Sequence, residues 1–368
     1  MQRVAFVDLA AQHAEVADEV LSGFAQVLQQ TSFVQGKQVT LFEEEYARYV
    51  GVEHCVGVAN GTDALEIALR ASGVEPGDEV VLPANTFVAT VEAVVRAGAH
   101  PVLVDVDEAT LLMDVEQAAR ACTSRTRALM PVHLYGQIVP MADLLGLADH
   151  RGLLVLEDAA QAQGASQGGT SAGAFGAASG TSFYPGKNLG AYGDAGAVTT
   201  HSAEIARRAR MIANHGSEVR YQHEIFGFNS RLDTLQAVVL RSKLARLEIW
   251  NEARRQAARR YADLLGDISQ LHLPTVLAGN QPVWHLYVVR VMRRAAIVEA
   301  LEAAGIGTGV HYPVPVHLHP AFRHLAAGPG SFPVAERAAG EIVSLPMHPH
   351  LTPDQQARVA EVLIRACG

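Results

Sequence analysis

The chain has 368 residues and a net charge of −9, which excludes the basic surface that nucleic acid or an anionic membrane demands. Its 49% hydrophobic and 18% charged residues are the balance of a soluble globular protein long enough for two or three domains. Cys55, Cys122 and Cys367 are odd in number and lack CxxC spacing, against both a disulfide framework and a thiolate zinc site.

The opening MQRVAFVDLAAQH meets Asp8 before any apolar region develops, so a secretory leader is not expected. No apolar run approaches the ~20 residues of a membrane span, and a reducing cytoplasm is the expected address. The segment VGVANGTDALEIALRA then sets a glycine turn between a short strand and a helix beginning near Thr62. Free amides and the helix dipole make such a turn an anion site. Four apolar runs follow, EVVLPAN, PVLVDVD, ALMPVHL and LLVLEDA, and the first three are each succeeded by a helical pattern. This alternation predicts an α/β fold with a mostly parallel central sheet flanked by helices. Ligands of such sheets sit beyond the carboxyl ends of the strands. That rule selects Asn85 and Thr86, then Glu157, Asp158 and Gln161, then Ser182 and Tyr184.

Residues 181–196, TSFYPGKNLGAYGDAG, surround one lysine with small and polar residues. A phosphate loop fails on spacing: five residues separate Gly180 from Gly186 where that motif has four, and Asn188 stands where Ser or Thr should bind magnesium. From residue 233 a long helix is predicted through DTLQAVVLRSKLARLEIWNEARRQAARRYADLLG, with an apolar stripe and an arginine-loaded latter part. A strand WHLYVVRV and helices AAIVEALEAAG and PDQQARVAEVLIRAC complete a smaller α+β unit. The expected domains are 1–249, with the N-terminal segment, and 250–368.

Lys187 near a strand end is either a surface lysine or an amine held in a low-dielectric pocket, where desolvation favours the neutral nucleophile and Schiff-base chemistry with a carbonyl. Asp158, 29 residues upstream, supports the second reading, because a buried carboxylate needs a cation. Pyridoxal 5'-phosphate supplies one in its protonated ring nitrogen. Its phosphate then falls to the turn at Asn60, Gly61 and Thr62, and Phe87 could cover the ring. Taken singly, Asp158 or Thr62 could be a helix cap and Phe87 plain core. HYPVPVHLHPAF holds His311, His317 and His319 but matches no zinc signature, and no metal is expected.

In order and spacing, GTDAL, PANTFVAT, EDAAQA, SFYPGKNLGAYGDAG and GFNSRLDTLQAVVLRSKL resemble the DegT/DnrJ/EryC1/StrS family of sugar-nucleotide aminotransferases. The resemblance runs from VDLAAQ to SLPMHPHLT, nearly the whole chain. It implies a fold-type I homodimer with active sites shared between subunits. It makes Lys187 the lysine bonded to the cofactor and Asp158 the ring-nitrogen partner. Gln161 becomes the contact to the phenolic oxygen, Phe87 the stacking ring, and Gly61, Thr62 and Ser182 phosphate ligands, with Asn229 reaching the phosphate from the other subunit. Tyr312 and His317, and His215, Tyr221 and His223 on a loop toward the partner, are candidate substrate contacts, as is Tyr184.

Family members that dehydrate sugars carry histidine in place of this lysine, so retention of Lys187 favours transamination over the dehydratase alternative. The implied reaction uses glutamate, passes through pyridoxamine 5'-phosphate, and aminates a nucleotide-linked keto-sugar. Tyr184, Gly186 and NSRLDTLQA resemble the branch acting at C3 of dTDP-3-keto-6-deoxyhexoses. The alternative C4 branch more often shows NYRMTDIQA. Gly186 and Ala195 depart from the Thr or Ser and the Gly common at those positions. A cofactor-binding regulator is disfavoured, since the sequence carries no DNA-binding appendage.

Overall fold

The computed structural model describes residues 3–367, so positions 1, 2 and 368 at the ends of the expected domains lie outside the described residues. Seven strands form the main sheet: β1 (His54–Val58), β2 (Glu79–Pro83), β3 (His100–Val104), β4 (Thr126–Leu129), β5 (Leu154–Asp158), β6 (Ala178–Ser182) and β7 (Gly196–Thr200). Their spatial order is β1-β7-β6-β5-β4-β2-β3. Strands β2 to β6 run parallel, as the alternating pattern predicts. Strand β7 is antiparallel to both β6 and β1, making the sheet mixed. It returns from β6 through the loop that carries Lys187, with no crossover helix to keep it parallel.

Strand β2 shows why the apolar runs are continuous, for all five of its residues are buried. Val80 and Leu82 pack with Ile67, Val91 and Val94 from helices Gly61–Ala71 and Val88–Arg96. Val81, on the opposite face, packs with Leu129, Val155 and Leu144, the last from helix Met141–Arg151. Each such buried side chain contributes about 1.5–3 kcal/mol. Helix Gly61–Ala71 lies close on β6 because Gly180 has no side chain, and a Cβ there would fall 2.7 Å from Leu65 Cδ2. This approach brings the helix N-terminus against Ser182, at the carboxyl end of β6.

The long helix predicted from residue 233 is two helices, Thr234–Leu244 and Leu247–Leu265. The first buries Leu240 in the large unit, whereas the second buries Tyr261 and Leu265 with the C-terminal strands and helices. Two cores require two directions, and the chain turns at Ala245 and Arg246. The expected boundary at 250 falls just inside the second helix. Strands Leu271–His272, Tyr287–Val291 and Ile342–Leu345 form a small antiparallel sheet, covered by helices Arg294–Ala303 and Pro353–Cys367. Val4 pairs with Ile306 and is buried in this smaller core, so the N-terminal segment, expected with the large domain, straps onto the C-terminal one.

Glu157, at the end of β5, ties the strand to its surroundings. Its carboxylate is 1% exposed and accepts hydrogen bonds from the amides of Gly173, Phe175 and Gly176 and from His133 Nε2, all between 2.8 and 2.9 Å. Glu157→Ala should destabilise the protein by about 3–5 kcal/mol, because four buried donors lose their acceptor. Urea denaturation should show this loss, while Glu116→Ala, in an exposed pair with Arg120, should stay within about 0.5 kcal/mol of wild type.

Candidate active site

The carboxyl ends of β5 and β6, the N-terminus of helix Gly61–Ala71 and the edge of the small domain enclose a cavity of about 460 Å³. Gly61, Thr62, Phe87, Asp158, Gln161, Ser182, Tyr184, Lys187 and Tyr312 all line it. Four chain-distant segments selected from sequence therefore meet at one place.

Asp158 is 6% exposed at the last position of β5. Thr90 Oγ1 donates to its Oδ2 at 2.7 Å, and the amide of Ala160 donates to Oδ1 at 3.1 Å. Thr86 Oγ1 lies 2.7 Å from Thr90 Oγ1 and extends the chain of hydroxyls. Burial pushes the Asp158 carboxyl above the usual carboxylate range, opposed by these hydrogen bonds and by Lys187. No ion pair engages it among the described residues.

Lys187 follows a tight turn in which its amide donates to Tyr184 O at 2.8 Å. The next residue anchors that loop: Asn188 Nδ2 donates to Asn251 Oδ1 and Val283 O, both at 2.9 Å, and its Oδ1 accepts from His285 Nδ1 at 3.1 Å. Desolvation pulls the Lys187 amine down to about 8, with the charge of Asp158 opposing. Burial and the lysine charge hold His311 near 4, and His285 well below its ordinary value, so both imidazoles are neutral at pH 7.

At the opposite end, Asn60 caps the helix, its Oδ1 accepting from Asp63 N at 2.8 Å. The amides of Gly61 and Thr62 have no intrahelical acceptor. A Cβ on Gly61 would lie 2.5 Å from that of Ser182, so glycine lets the two chains form one cradle. Gln161 Oε1 accepts from Tyr135 N at 2.7 Å, and its Nε2 donates to Tyr312 Oη at 3.1 Å. The rings of Tyr312 and Phe87 stand 5.3 Å apart at the mouth.

Five expected contacts lie off this cavity. Asn229 is exposed and bridges to Asn214, Tyr221 and His223 belong to the hairpin Ser217–Val219/Gln222–His223, and His215 lies in the turn just before it. His317 is taken up by packing instead of facing a ligand: its Nε2 donates to Glu336 Oε1 at 3.0 Å and its ring meets Phe332 edge-on. Sequence reasoning missed Thr90, Tyr135, His285, His311 and Arg254, which structure adds to the site or its support. Thr90 had a signal, standing one helical turn after Thr86. The other four come from turns or from the C-terminal unit, and no spacing rule joins them to β5.

An unpaired buried carboxylate, an amine of lowered pKa and a glycine cradle at a helix N-terminus fit the ring nitrogen, aldehyde and phosphate of pyridoxal 5'-phosphate. The rate at which apoprotein captures this aldehyde should rise with pH about a midpoint near 8, since only the neutral amine attacks. Asp158→Asn removes the influence that raises the amine pKa, so its midpoint should move lower. A stopped-flow absorbance series from pH 6 to 10 reads both, and a wild-type midpoint near 10.5 would contradict the burial argument.

Comparison with known proteins places the chain in a family. The family model for the DegT/DnrJ/EryC1/StrS aminotransferase family matches residues 15–364. A dTDP-3-amino-3,4,6-trideoxy-alpha-D-glucose transaminase of Streptomyces venezuelae is 46% identical over 361 residues, covering 98% of this chain and 95% of that protein. A UDP-N-acetyl-3-dehydro-alpha-D-glucosamine 3-aminotransferase of Acidithiobacillus ferrooxidans is 45% identical over 362 residues, covering 98% and 97%. The crystal structure of NtdA from Bacillus subtilis with bound cofactor PMP superposes with a TM-score of 0.92 at 31% identity, covering 100% of this chain and 86% of that one. The fold is thus that of the fold-type I pyridoxal-phosphate enzymes, and the chain belongs to the DegT/DnrJ/EryC1/StrS aminotransferase family.

Proposed function

We propose that this pyridoxal-phosphate-dependent sugar-nucleotide aminotransferase moves an amino group from L-glutamate to C3 of a dTDP-linked 3-keto-6-deoxyhexose, in amino-sugar biosynthesis for an antibiotic or surface glycan. The observation that carries the chemistry is the amine of Lys187 sharing a cavity with the buried carboxylate of Asp158. The two named relatives support the position, since both of their names place the chemistry at C3 although their nucleotides differ. The dTDP carrier follows the Streptomyces relative, and Tyr184 and Gly186 accord with the C3 position.

When bound, pyridoxal phosphate supplies an electron sink that stabilises negative charge at the donor's Cα. Asp158 holds a proton on the ring nitrogen, and Thr90 with the Ala160 amide keeps its carboxylate aimed. Lys187 Nζ, poised near neutrality, takes and returns a proton at the donor's Cα and later at the sugar's C3. Gly61, Thr62 and Ser182 bind phosphate through backbone amides and a hydroxyl. Phe87 and Tyr312 narrow the mouth and keep bulk water from the amine.

We further propose a homodimer, with Asn229 of one copy completing the phosphate site of the other. The hairpin region supports this, for Val219, Tyr221 and Phe226 within ten residues of one another are 53%, 79% and 84% exposed. Among the described residues no helix is long and apolar enough to cross a membrane. The three unpaired cysteines accord with a cytoplasmic enzyme.

Incubation of the holoenzyme with glutamate and either the 3-keto or the 4-keto dTDP-6-deoxyhexose, followed by NMR of the product, should place nitrogen at C3. Nitrogen only at C4 would transfer the enzyme to the alternative branch, and elimination of a hydroxyl without amination would make it a dehydratase. Lys187→Ala should lose the visible absorbance of the covalently held cofactor and about 10³-fold or more in turnover. Normal turnover by that variant would end the assignment.

A further inference from the structure

Lys243 is a buried cation outside the catalytic cavity. It lies on helix Thr234–Leu244, is 2% exposed, and pairs with no carboxylate among the described residues. Its Nζ donates to the backbone carbonyl of Gly190 at 2.7 Å and to Gln12 Oε1 at 2.9 Å, and stands 4.6 Å from the centre of the Tyr192 ring. Burial lowers the amine to about 8, so the ammonium still prevails at neutral pH. A desolvated ammonium is costly, and a leucine or methionine would occupy such a position without that cost. What the charge brings that they cannot is a hold on two carbonyl dipoles and one ring face.

Gly190 belongs to the loop that carries Lys187. Between β6 and β7 the chain forms no helix or strand, so its course is set by individual contacts. The amide of Ala191 donates to Phe183 O at 2.8 Å and closes the base, and the amide of Lys187 donates to Tyr184 O at 2.8 Å inside it. Gly190 lies so close to Pro185 that a Cβ on it would fall 2.3 Å from that carbonyl oxygen. Two helices grip this closed loop from outside. Asn251, on helix Leu247–Leu265, accepts from Asn188 at 2.9 Å. Helix Thr234–Leu244 holds it with one face: Gln236 Oε1 accepts from Tyr192 N at 2.8 Å, Leu240 packs in one core with Leu189 and Ala191, and Lys243 holds Gly190. Residues 236, 240 and 243 are successive turns of the helix, so the three contacts lie in one line. The break at Ala245 and Arg246 falls between the two grips, and each helix ties the loop to its own core.

We infer that Lys243 is a positioning residue for Lys187, fixing through Gly190 O the backbone from which the reactive amine extends. This rests on the aminotransferase reading above and adds a residue to it. Gly190 is three residues from Lys187 within one closed loop, so a shift of its carbonyl is passed to the Lys187 backbone. Misplacing a reacting group by about 1 Å can cost about 10²-fold in rate. The ammonium also joins the loop to the N-terminal segment, since Gln12 lies on helix Leu9–Ala14 and the next residue, His13, places Nδ1 2.6 Å from Tyr192 Oη. Lys243 does not line the cavity, so its effect reaches the chemistry through the loop.

The test uses holoenzyme and reads the spectral change as L-glutamate converts the cofactor to its amino form, which separates the rate at saturating glutamate from the apparent dissociation constant. In Lys243→Met the saturating rate should fall at least about tenfold, with the apparent dissociation constant for glutamate within about threefold of wild type. Amide hydrogen exchange in residues 183–191 should rise at least about tenfold, while that in β2 stays within about twofold. Gln12→Ala leaves the bond to Gly190 in place and should keep the rate within about threefold of wild type. Lys243→Arg keeps the charge on a longer side chain and should fold, with a rate between wild type and Lys243→Met. If Lys243→Met yields no folded protein, a loss of at least about threefold in Lys243→Arg supports the assignment and a wild-type rate in it overturns it. An unchanged rate in folded Lys243→Met overturns the assignment, and a lowered melting temperature with the rate intact overturns it in favour of a packing role. A loss in Gln12→Ala as large as that in Lys243→Met overturns it in favour of the N-terminal segment. Absence of any conversion of wild type by glutamate would instead remove the aminotransferase reading, an outcome distinct from these.

Discussion

The site depends on a carboxylate that the fold buries and leaves without a cation. Asp158 is buried at the end of β5, and no lysine or arginine among the described residues forms an ion pair with it, although the charge of Lys187 reaches it. What holds it is short-range: one hydroxyl from Thr90 and one amide from Ala160. Thr90 reaches it from the first turn of helix Val88–Arg96, which begins five residues after the end of β2. The adjacent Glu157 points to the other face and fastens β5 to the segment 173–176. Two neighbouring carboxylates thus divide between two duties. Glu157 is saturated and holds the strand, whereas Asp158 is left hungry for a ligand's positive charge.

The large domain prepares both ends of that ligand before it arrives. Gly180 admits the helix that starts at Gly61, and Gly61 in turn admits Ser182. Removal of two side chains therefore sets a helix N-terminus at a fixed height above the same sheet edge that carries Asp158. The small domain contributes no strand to this platform. It supplies a wall, with Arg254, His285, His311 and Tyr312 arriving on helix and loop positions far along the chain. A cofactor can be gripped by the platform alone, but a substrate must be caught between platform and wall.

This division explains what could be read from sequence. The platform was legible, because parallel strands are continuous apolar runs and their ligands come from the polar residues that follow, as with Asp158 and Ser182. Lys187 was legible through its isolation among small residues together with Asp158 upstream. The antiparallel turn of β7 was not, since the same apolar alternation suits either direction. Nor was the break at Ala245 and Arg246, which has no Pro or Gly and arises from two cores pulling one helical pattern apart. His317 misled because an unusual cluster of histidines looks functional until Glu336 and Phe332 are seen to absorb it. Arg254 was hidden for the opposite reason, as one of several arginines on a helix where the others are partnered by Glu or Gln side chains.

The two cations of the cavity differ in a way that suits their places. Lys187 and Arg254 are both desolvated, and burial lowers each below its ordinary value. For the lysine this reaches about 8, where neutral amine and ammonium coexist and a proton can be exchanged at little cost. For the arginine it reaches only about 10, and the charge remains. A residue that must give and take protons cannot also be a constant electrostatic anchor, because each protonation change would loosen whatever it held. Placing a guanidinium on the small-domain wall and an amine on the loop after β6 puts a permanent charge and a titrating one on different elements of the same cavity. An arginine in place of Lys187 could not act as the base, because its guanidinium keeps its proton.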